Sequence, residues 1–295
     1  MALGFAAYWM QSSRVRHQVK VKAQGTKVLG ISAGKLAEVE SYLPTLPEQQ
    51  KIAAFLGAVD RKIQQLKRKQ ALLEQYKKGV VQQLFPSAGS GQAAQLRFKR
   101  KDGGEFPEWE EKVLGDLVSF HRGSPLSKSD LAADGSSKCI HYGELFTLYQ
   151  EVIQEVASRT FLKDGFMSKR GDVLMPSSDV TPQGLAKASV LLEDDVLLGG
   201  DINVLRPKGL VSPTFLSYLL NFEKQKLLVL VSGTTVKHMY NKDLVGLELV
   251  LPTSLEEQSR IAGFLMALDA KVAGVAQSVA AAQQWKKGLL QQMFV

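Results

Sequence analysis

The sequence has little of the chemistry from which metal and catalytic sites are built. Cys139 is the single cysteine in 295 residues, so the chain forms neither an internal disulfide nor a cysteine-based metal cluster. The four histidines, His17, His121, His141 and His238, show no metal-ligand spacing, and ordinary hydrogen-bonded roles account for them. We therefore expect no bound metal, and the cysteine usage suits a reducing cytoplasm.

Motifs of nucleotide-binding proteins and hydrolases are also missing. The segment "GISAGKL" is one residue too short between its glycines for a phosphate-binding loop, and Leu36 stands where Ser or Thr must hold the metal. Gly199-Gly200-Asp201 precedes a predicted strand rather than a helix, so it lacks the helix N-terminus of a dinucleotide site. No Gly-x-Ser-x-Gly or His-Glu-x-x-His motif occurs, and Glu110-Glu111-Lys112 lacks the upstream Asp of a nuclease. We predict a protein that is not an enzyme and binds no cofactor.

The sequence shows no long uninterrupted apolar run. No stretch approaches the ~18 apolar residues of a membrane span, and the apolar first ten residues lack a basic flank. This predicts a cytoplasmic protein without a membrane partner. The net charge of +8 and pI of about 9.4 leave two interpretations open, an anionic partner or a contribution to solubility.

The most informative feature that is present is an internal repeat. The segment from Phe5 to Phe85 recurs, diverged, from Phe215 to Phe294. "FAAYW" matches "FLSYL", "GTKV" matches "GTTV", and the stretches 48–85 and 257–294 align without a gap with 17 identities in 38 positions. The repeat predicts that one structural unit occurs twice in the chain.

The gap-free part of each copy predicts a long amphipathic helix. Its apolar residues recur at intervals of three and four, which places them on one stripe, as in a coiled coil. Pro47 and Pro252 lie at or before the helix starts, and Pro86 ends the first helix. The predicted helix-pair interface comprises Ile52, Phe55, Val59, Ile63, Leu66, Leu73, Tyr76, Val80, Ile261, Phe264, Leu268, Val272, Val275, Val279 and Trp285.

Between the copies lies a segment of different character. Short apolar runs such as "DVLM" and "INVLRP" predict strands, and Gly, Pro, Asp and Ser punctuate them with turns. We therefore predict an α+β fold, with one globular mixed α/β domain and two long helices that form an antiparallel coiled coil. The predicted divisions are 1–46, a helix at 47–86, a linker at 87–96, the globular domain at 97–251 and a helix at 252–295.

These segments resemble the specificity subunits of Type I restriction–modification systems. "GTTVKHMYNKDLVGLELVLP" followed by "EEQSRIAGFL" is similar to the end of a target-recognition domain and the start of the following helix in that family. "GTKVLGISAGKLAEVESYLPTLPEQQKIAAFL" resembles the same junction in the first copy, and "EFPEWEEKVLGDL" resembles the opening of a recognition domain. The resemblance covers essentially the whole chain.

The resemblance implies a function without chemistry. Family members carry two recognition domains held apart by paired helices, and each domain reads one half of a split double-stranded DNA site. Modification subunits supply S-adenosylmethionine and methylate adenine, and restriction subunits supply ATP-driven cleavage. This sequence departs from that pattern because 1–46 matches only the end of a first recognition domain. A homodimer, or a second specificity chain that supplies the missing domain, is therefore an open possibility.

Three polar, glycine-containing loops of the middle domain are the candidate DNA-binding segments. Arg and Lys pair with guanine or phosphate, Gln pairs with adenine, and glycine lets the backbone approach a phosphate. The candidates are Arg122, Ser124 and Lys128 in loop 1; Ser177, Ser178, Gln183 and Lys187 in loop 2; and Gly233, Thr234, Thr235, Lys237, His238 and Tyr240 in loop 3. Each loop also fits an ordinary exposed turn. Loop 3 is the strongest candidate because the first copy keeps Gly25, Thr26 and Lys27.

Basic residues on the helices have two interpretations. Arg61, Lys62, Lys67, Arg68 and Lys69 either track phosphates or form a solvated face. The pairs Lys77-Lys78 and Lys286-Lys287 either suit the negative ends of the helix dipoles or dock modification subunits. The competing function is an assembly or dimerisation scaffold that binds modification subunits without reading DNA.

Overall fold

The computed structural model describes residues 1–25, 29–41, 43–86 and 94–294. It divides into two compact units, which we treat separately. Unit 1 comprises Met1–Tyr76 and Leu268–Val295, and unit 2 comprises Lys77–Ala267. Two predicted segments, Thr26-Lys27 and 87–93 of the linker, lie outside the described residues.

The regular structure described in unit 1 is helical, apart from an isolated β-bridge between Gln24 and Gly30. Short helices precede a long one, and the end of a second long helix completes the unit. The helices that contribute to unit 1 are α1 (Phe5–Trp9), α2 (Ser13–Lys22), α3 (Ala33–Ala37), α4 (Leu46–Leu84) and α11 (Leu255–Met293). The last two extend into unit 2, so each long helix contributes residues to both units.

Both long helices begin with the same local signal. Thr45 precedes α4, and both its backbone N–H and its hydroxyl donate to Glu48. Ser254 precedes α11, and its hydroxyl accepts from the Glu257 N–H at 3.4 Å. A hydroxyl residue followed three positions later by Glu satisfies amide groups that a helix start leaves without a partner. The sequences "TLPEQ" and "SLEEQ" therefore set where these helices begin.

Burial along the long helices follows a heptad repeat. From Leu56 onward, the buried or half-buried positions of α4 that follow this repeat are Leu56, Val59, Ile63, Leu66, Gln70, Leu73, Lys77, Val80 and Leu84. From Ile261 onward, those of α11 are Ile261, Leu265, Leu268, Val272, Val275, Val279, Ala282, Lys286 and Leu289. Intervals of three and four alternate throughout both sets, as two paired helices require.

The aromatic residues of the predicted interface lie outside this buried stripe. Phe55, Tyr76 and Trp285 are 42%, 54% and 54% exposed and Phe264 is half-buried, and each of the four stands one position before a member of the stripe. The apolar pattern of the sequence does not distinguish each aromatic position from the one that follows it, so the prediction took the larger, aromatic side chain. Leu56 and Leu265, which the prediction omitted, are fully buried instead.

Contacts within unit 1 establish how the two long helices run. Phe55, near the start of α4, packs edge-on against Trp285, near the end of α11, with ring centroids 6.1 Å apart. The Lys286 ammonium lies 2.7 Å from the Asp60 carboxylate. Because these contacts join the start of one helix to the end of the other, the buried stripes can face each other along their length only if the helices run antiparallel. The predicted fold class, α+β with an antiparallel helix pair, is confirmed.

One described helix, α11, is long and apolar enough to cross a membrane by length and composition alone. Its most apolar 18 residues have a mean hydropathy of 1.3. The sequence prediction had found no such stretch, because these apolar residues are spread along the helix among polar ones. A soluble helix that packs one stripe against a partner has the same composition, and the contacts of α11 with Phe55 and Asp60 are of that kind.

Unit 2 contains a mixed sheet with small satellites. The strands are β1 (Trp109–Val113), β2 (Val118–Arg122), β3 (Ser137–Ile140), β4 (Val152–Ile153), β5 (Arg159–Thr160), β6 (Val173–Pro176), β7 (Ser178–Asp179), β8 (Ser189–Leu191), β9 (Leu197–Leu198), β10 (Ile202–Pro207), β11 (Lys237–His238) and β12 (Glu248–Pro252). The main sheet has the strand order β2-β10-β6-β8-β4, in which β4 is parallel to β8 and the other pairs are antiparallel.

Helices cover and connect this sheet. They are α5 (Leu114–Leu117), α6 (Glu144–Thr147), α7 (Pro182–Leu185), α8 (Pro213–Phe222), α9 (Lys224–Val229) and α10 (Asn241–Leu244), with a 3-10 turn at Lys128–Asp130. The helix α8 starts at Pro213, as the Ser-Pro pair predicts. Its Ser217 hydroxyl bonds to the carbonyls of Glu151 and Ala188, which fixes α8 to the strands β4 and β8.

The end of α4 is anchored inside unit 2 by aromatic packing. Phe85 is 1% exposed, and its ring lies 5.1 Å from Phe222, 5.6 Å from Phe215 and 6.4 Å from Trp109. In unit 1, Phe294 packs against Phe5 at 5.4 Å. Because Phe85 and Phe294 are equivalent in the repeat, as are Phe215 and Phe5, each helix end packs on the short helix of the other copy.

Candidate nucleic-acid interface

The register of the main sheet brings two of the predicted loops to one edge. Both β2 and β6 are antiparallel to β10, so their C-terminal ends meet the N-terminal end of β10. Arg122 is paired with Asn203, and Pro176 is paired with Ile202. Loop 1, which follows Arg122, and loop 2, which follows Pro176, therefore leave the sheet side by side.

A small ribbon adds loop 3 to the same place. Ser178 and Asp179 of β7 pair with His238 and Lys237 of β11. The Ser177 carbonyl accepts from the Met239 N–H at 3.1 Å, and the Asn203 side chain donates to the Met239 carbonyl at 2.6 Å. The structure thus assembles segments that are more than 100 residues apart in sequence into one surface, which we call the reading face.

Arg122 is held at the rim of the reading face by two oxygens. Its Nε donates to the Gly200 carbonyl at 2.7 Å, and one terminal nitrogen lies 3.2 Å from the Asp201 carboxylate. The side chain is exposed. A guanidinium has five N–H donors in a fixed plane, so these contacts orient the group and leave further donors directed to solvent.

The glycines of loops 1 and 3 occupy positions where the backbone leaves no room for a side chain. A Cβ at Gly123 would collide with the backbone carbonyls of Leu198 and Gly199, so loop 1 lies directly against the turn before β10. Gly233 has φ +98°, and a Cβ there would also meet the Val236 carbonyl. Gly123 thus allows a close approach between two backbone segments of the domain, and Gly233 adopts the left-handed conformation of a turn.

The predicted DNA-binding residues divide by exposure. Arg122, Lys128, Gln183, Gly233, Thr234 and Thr235 are exposed, whereas Ser124, Ser178, Lys187, Lys237, His238 and Tyr240 are half-buried and Ser177 is buried. The His238 and Tyr240 rings stack, 5.4 Å apart and nearly parallel, and Lys237 donates to the Gly233 carbonyl at 2.7 Å. Loop 3 therefore presents a cation beside a flat aromatic pair.

Three of the predicted residues have structural roles instead. The Ser124 hydroxyl accepts from the Phe166 N–H at 2.6 Å, and Ser177 is only 1% exposed. Lys187 donates to the Tyr149 carbonyl at 2.6 Å, and burial lowers the pKa of its ammonium. Ser124 and Lys187 thus have partners within the domain and are partly shielded from solvent, and Ser177 is buried.

Sequence reasoning missed an open groove beside loop 1. It has a volume of about 520 Å³ and is lined in part by Arg122, Lys128, His141, Tyr142 and Asp201. The rings of His141 and Tyr142 lie 4.6 Å apart. A polar stretch such as "HYGE" after a strand was the available signal, but the link from β3 to loop 1 depends on tertiary packing.

The charges on the reading face alternate in sign. The Asp179 carboxylate accepts from the Val180 N–H and the Thr181 hydroxyl, both at 2.7 Å, and Asp201 contacts Arg122. Unit 2 as a whole has 22 Lys and Arg against 23 Asp and Glu. The face therefore combines local cations, carboxylates and amides without a large positive field. Within the described ranges of the chain, no group of three or more His, Cys, Asp or Glu side chains is arranged to hold a metal ion.

Comparison with known proteins agrees with the repeat and the sheet. The sequence profile described as "Type I restriction modification DNA specificity domain" matches residues 4–75 and 107–279. The chain belongs to this family. The first matched stretch contains the short helices of unit 1 and most of α4, and the second contains the globular domain and most of α11. One family profile therefore accounts for both copies of the repeat.

Curated relatives share about a quarter of their residues with the chain. The Type I restriction enzyme MjaVIII specificity subunit of Methanocaldococcus jannaschii is 26% identical over 273 residues, which span 85% of this chain and 60% of the relative. The putative Type I specificity subunit S.MpnORF638P of Mycoplasma pneumoniae is 25% identical over 167 residues, or 56% of this chain and 40% of the relative. The chain thus spans 60% or less of the length of these relatives.

Solved structures show the same fold. The HsdS subunit from Thermoanaerobacter tengcongensis matches with a TM-score of 0.52 at 20% identity, over 99% of this chain and 69% of that one. The S subunit of a Type I restriction-modification system from M. genitalium matches with a TM-score of 0.63 at 15% identity, over 100% of this chain and 73% of that one. At these identities the two structures establish the likeness of fold alone.

Proposed function

We propose that the chain is a DNA-specificity subunit whose reading face recognises one half of a bipartite double-stranded DNA site. The observation that carries this proposal is the convergence of three loops at one edge of the sheet of unit 2. A surface built from separate loops on a rigid sheet can hold several side chains against adjacent bases. Membership of the specificity-domain family supports the same role.

In this proposal Arg122 reads a base rather than a phosphate. The contacts with Gly200 and Asp201 fix the plane of its guanidinium, and a planar fork of donors matches guanine O6 and N7. Lys237 and Lys128 neutralise phosphates at the rim, and the exposed Gln183 amide is suited to adenine. The low net charge of unit 2 favours selection by geometry over general attraction to DNA.

The chain itself carries out no chemical step in this proposal. Modification subunits would bind S-adenosylmethionine and methylate adenine, and restriction subunits would bind ATP and cut, all directed by this chain in the cytoplasm. The curated relatives are specificity subunits by name, which supports this division. A second specificity chain, or a second copy of this one, would read the other half of the site.

The experiment maps methylated adenines in cells that express the chain with its methyltransferase subunits. Wild type should give methylation at adenines that share one sequence. Arg122→Lys keeps the charge but loses the fork, so it should relax the preference at one base pair, by about 1–3 kcal/mol, with the other positions unchanged. Lys237→Gln should lower methylation at all sites alike.

Lys101→Gln is the matched control, because Lys101 is an exposed lysine of unit 2 in a turn outside the loops of the reading face. It should leave the methylation pattern as in wild type. If Arg122→Lys methylates the same sites as wild type, Arg122 does not read a base. If the chain binds the methyltransferase subunits but methylation shows no common sequence, the chain is an assembly scaffold and the proposal is wrong.

A further inference from the structure

The positive charge of the chain is concentrated in unit 1, whereas the residues of the reading face belong to unit 2. Unit 1 has 15 Lys and Arg against 6 Asp and Glu, a net charge of +9, whereas unit 2 has a net charge of −1. The first 37 residues contain six Lys and Arg and no Asp or Glu. A charge of this size attracts an anionic partner over roughly a Debye length, about 10 Å at 0.1 M salt.

A groove in unit 1 collects part of this charge beside hydrogen-bond donors. It has a volume of about 370 Å³ and lies between α2, the residues before it, and the end of α11. Its lining residues are Gln11, Ser13, Arg16, Gln283, Lys286, Lys287, Leu290 and Gln291. No carboxylate is among them, so nothing in the lining repels an anion.

The cations of this groove differ in how they are engaged. Lys286 lies 2.7 Å from the Asp60 carboxylate and 5.4 Å from the centroid of the Tyr8 ring, so it is tied into the helix pair. Arg16 and Lys287 are exposed, and within the described residues neither forms a salt bridge. Together with the amides and the hydroxyl, they provide donors at several points along one surface.

We infer that this groove binds the phosphodiester backbone of DNA without regard to base sequence. Phosphate oxygens accept hydrogen bonds from Arg, Lys, Ser and Gln, which are the donor types that line the groove. A protein partner usually contacts carboxylates or an apolar anchor. The lining of this groove has no carboxylate, and Leu290 is its single apolar residue. The identity of the anion as DNA rests on the proposed function.

The internal repeat supplies a natural contrast for this groove. Position 283 of α11 is equivalent to position 74 of α4, where the residue is Glu. Gln283→Glu therefore introduces a residue that the same helix position accepts in the other copy. It places a negative charge in the groove and should disturb the fold very little.

The test measures binding of the full-length chain to a duplex of random sequence by fluorescence anisotropy between 50 and 300 mM salt. Loss of two phosphate contacts in Arg16→Gln/Lys287→Gln should reduce the slope of log affinity against log salt by about 1.8. Affinity at 0.1 M salt should fall on the order of tenfold. Gln283→Glu should also weaken binding, whereas Gln277→Glu, an exposed position of α11 outside the groove, should bind as wild type does.

Circular dichroism and melting curves of each variant establish that it is folded. Unchanged slope and affinity in the folded double variant would overturn the inference. So would normal DNA binding together with lost binding to the methyltransferase subunit, because the groove would then serve a protein partner. The proposed function fails separately: its test is the preference for one sequence over another, which the groove variants should retain and Arg122→Lys should relax at one base pair.

Discussion

Gln49 and Gln258 are equivalent in the repeat, and their buried amides make the same pair of backbone hydrogen bonds. Gln49 donates to the Pro44 carbonyl at 2.9 Å and accepts from the Ala2 N–H at 2.8 Å. Gln258 donates to the Pro252 carbonyl at 2.8 Å and accepts from the Ser212 N–H at 2.7 Å. Each glutamine thereby connects the start of a long helix with the residues just before a short helix, once in each unit.

Replacement of either glutamine by leucine should therefore have a similar cost. Gln49→Leu and Gln258→Leu each leave one N–H and one C=O without its partner, one of them buried and one part-buried, and the buried group alone costs about 1–3 kcal/mol. Urea unfolding of the two variants measures the loss. Gln50→Leu, at an exposed neighbouring position, is the control and should change stability by less than about 0.5 kcal/mol. Equal stability of Gln258→Leu and wild type would show that water replaces both bonds.

The ion pair of Arg97 with Glu257 should be costly to break from one side. The Glu257 side chain is fully buried and accepts from Arg97 at 3.1 and 3.0 Å, and Arg97 also donates to the Pro107 carbonyl at 2.6 Å. This pairing raises the pKa of the Arg97 guanidinium. Arg97→Met leaves the carboxylate buried without a counter-charge and should lower the free energy of unfolding by about 3–5 kcal/mol.

The double variant Arg97→Met/Glu257→Leu distinguishes the cost of a buried, unpaired charge from the contribution of the ion pair itself. With both charges removed, no buried carboxylate remains, so the double variant should be more stable than Arg97→Met alone. Urea unfolding of wild type, Arg97→Met and the double variant gives the comparison. A double variant less stable than Arg97→Met would mean that the side chains of the pair stabilise the fold by more than the burial of their charges costs.

Gly123→Ala should disturb the reading face, because the added methyl group meets the backbone of Leu198 and Gly199. The turn that holds Arg122 against Gly200 would have to move, so we expect a loss of several kcal/mol of stability or weaker sequence-selective binding. Gly79→Ala is the matched control in α4, where no atom lies within 4 Å of the added Cβ. Alanine there should stabilise the protein by up to about 1 kcal/mol. Thermal melting and DNA anisotropy are the measurements.

Acid should weaken unit 2 in part through Glu193. Hydrogen bonding from Lys138, with a further bond from the Val156 N–H, holds the pKa of the Glu193 carboxyl below its usual value. A carboxyl whose pKa is lower in the folded state stabilises above the unfolded pKa, and this contribution disappears as the pH falls through the folded pKa. Stability of wild type should thus decline below about pH 4.5, and Glu193→Gln should show a shallower decline. Identical profiles would assign the acid sensitivity to other groups.

Much of the framework of this protein could be predicted from the sequence. The repeat, the two long helices and the start of α8 at Pro213 follow from spacing, caps and proline, which act locally. Loops 1, 2 and 3 were also recognisable as polar turns. Their assembly was not, because it depends on antiparallel pairing across β2, β10 and β6 and on the β7–β11 ribbon.

The direction in which a side chain points was the other feature that the sequence could not predict. Lys187 and Ser177 have the polarity expected of DNA-binding residues, yet tertiary packing turns both inward. Phe55 and Leu56 differ by one position, and hydrophobicity alone does not show which of them lies in the buried stripe. Only the heptad frame across the whole helix separates them.

The offset of the aromatics from the buried stripe has a practical consequence. Successive residues of a helix are about 100° apart around its axis. A fusion, a shortened version or a hybrid of the long helices that is aligned on Phe55 or Trp285 would therefore rotate the packing surface of the helix by about 100°. Engineered versions should instead be aligned on Leu56 and Leu265. These two leucines are fully shielded from solvent, so they mark which side of each long helix faces its partner.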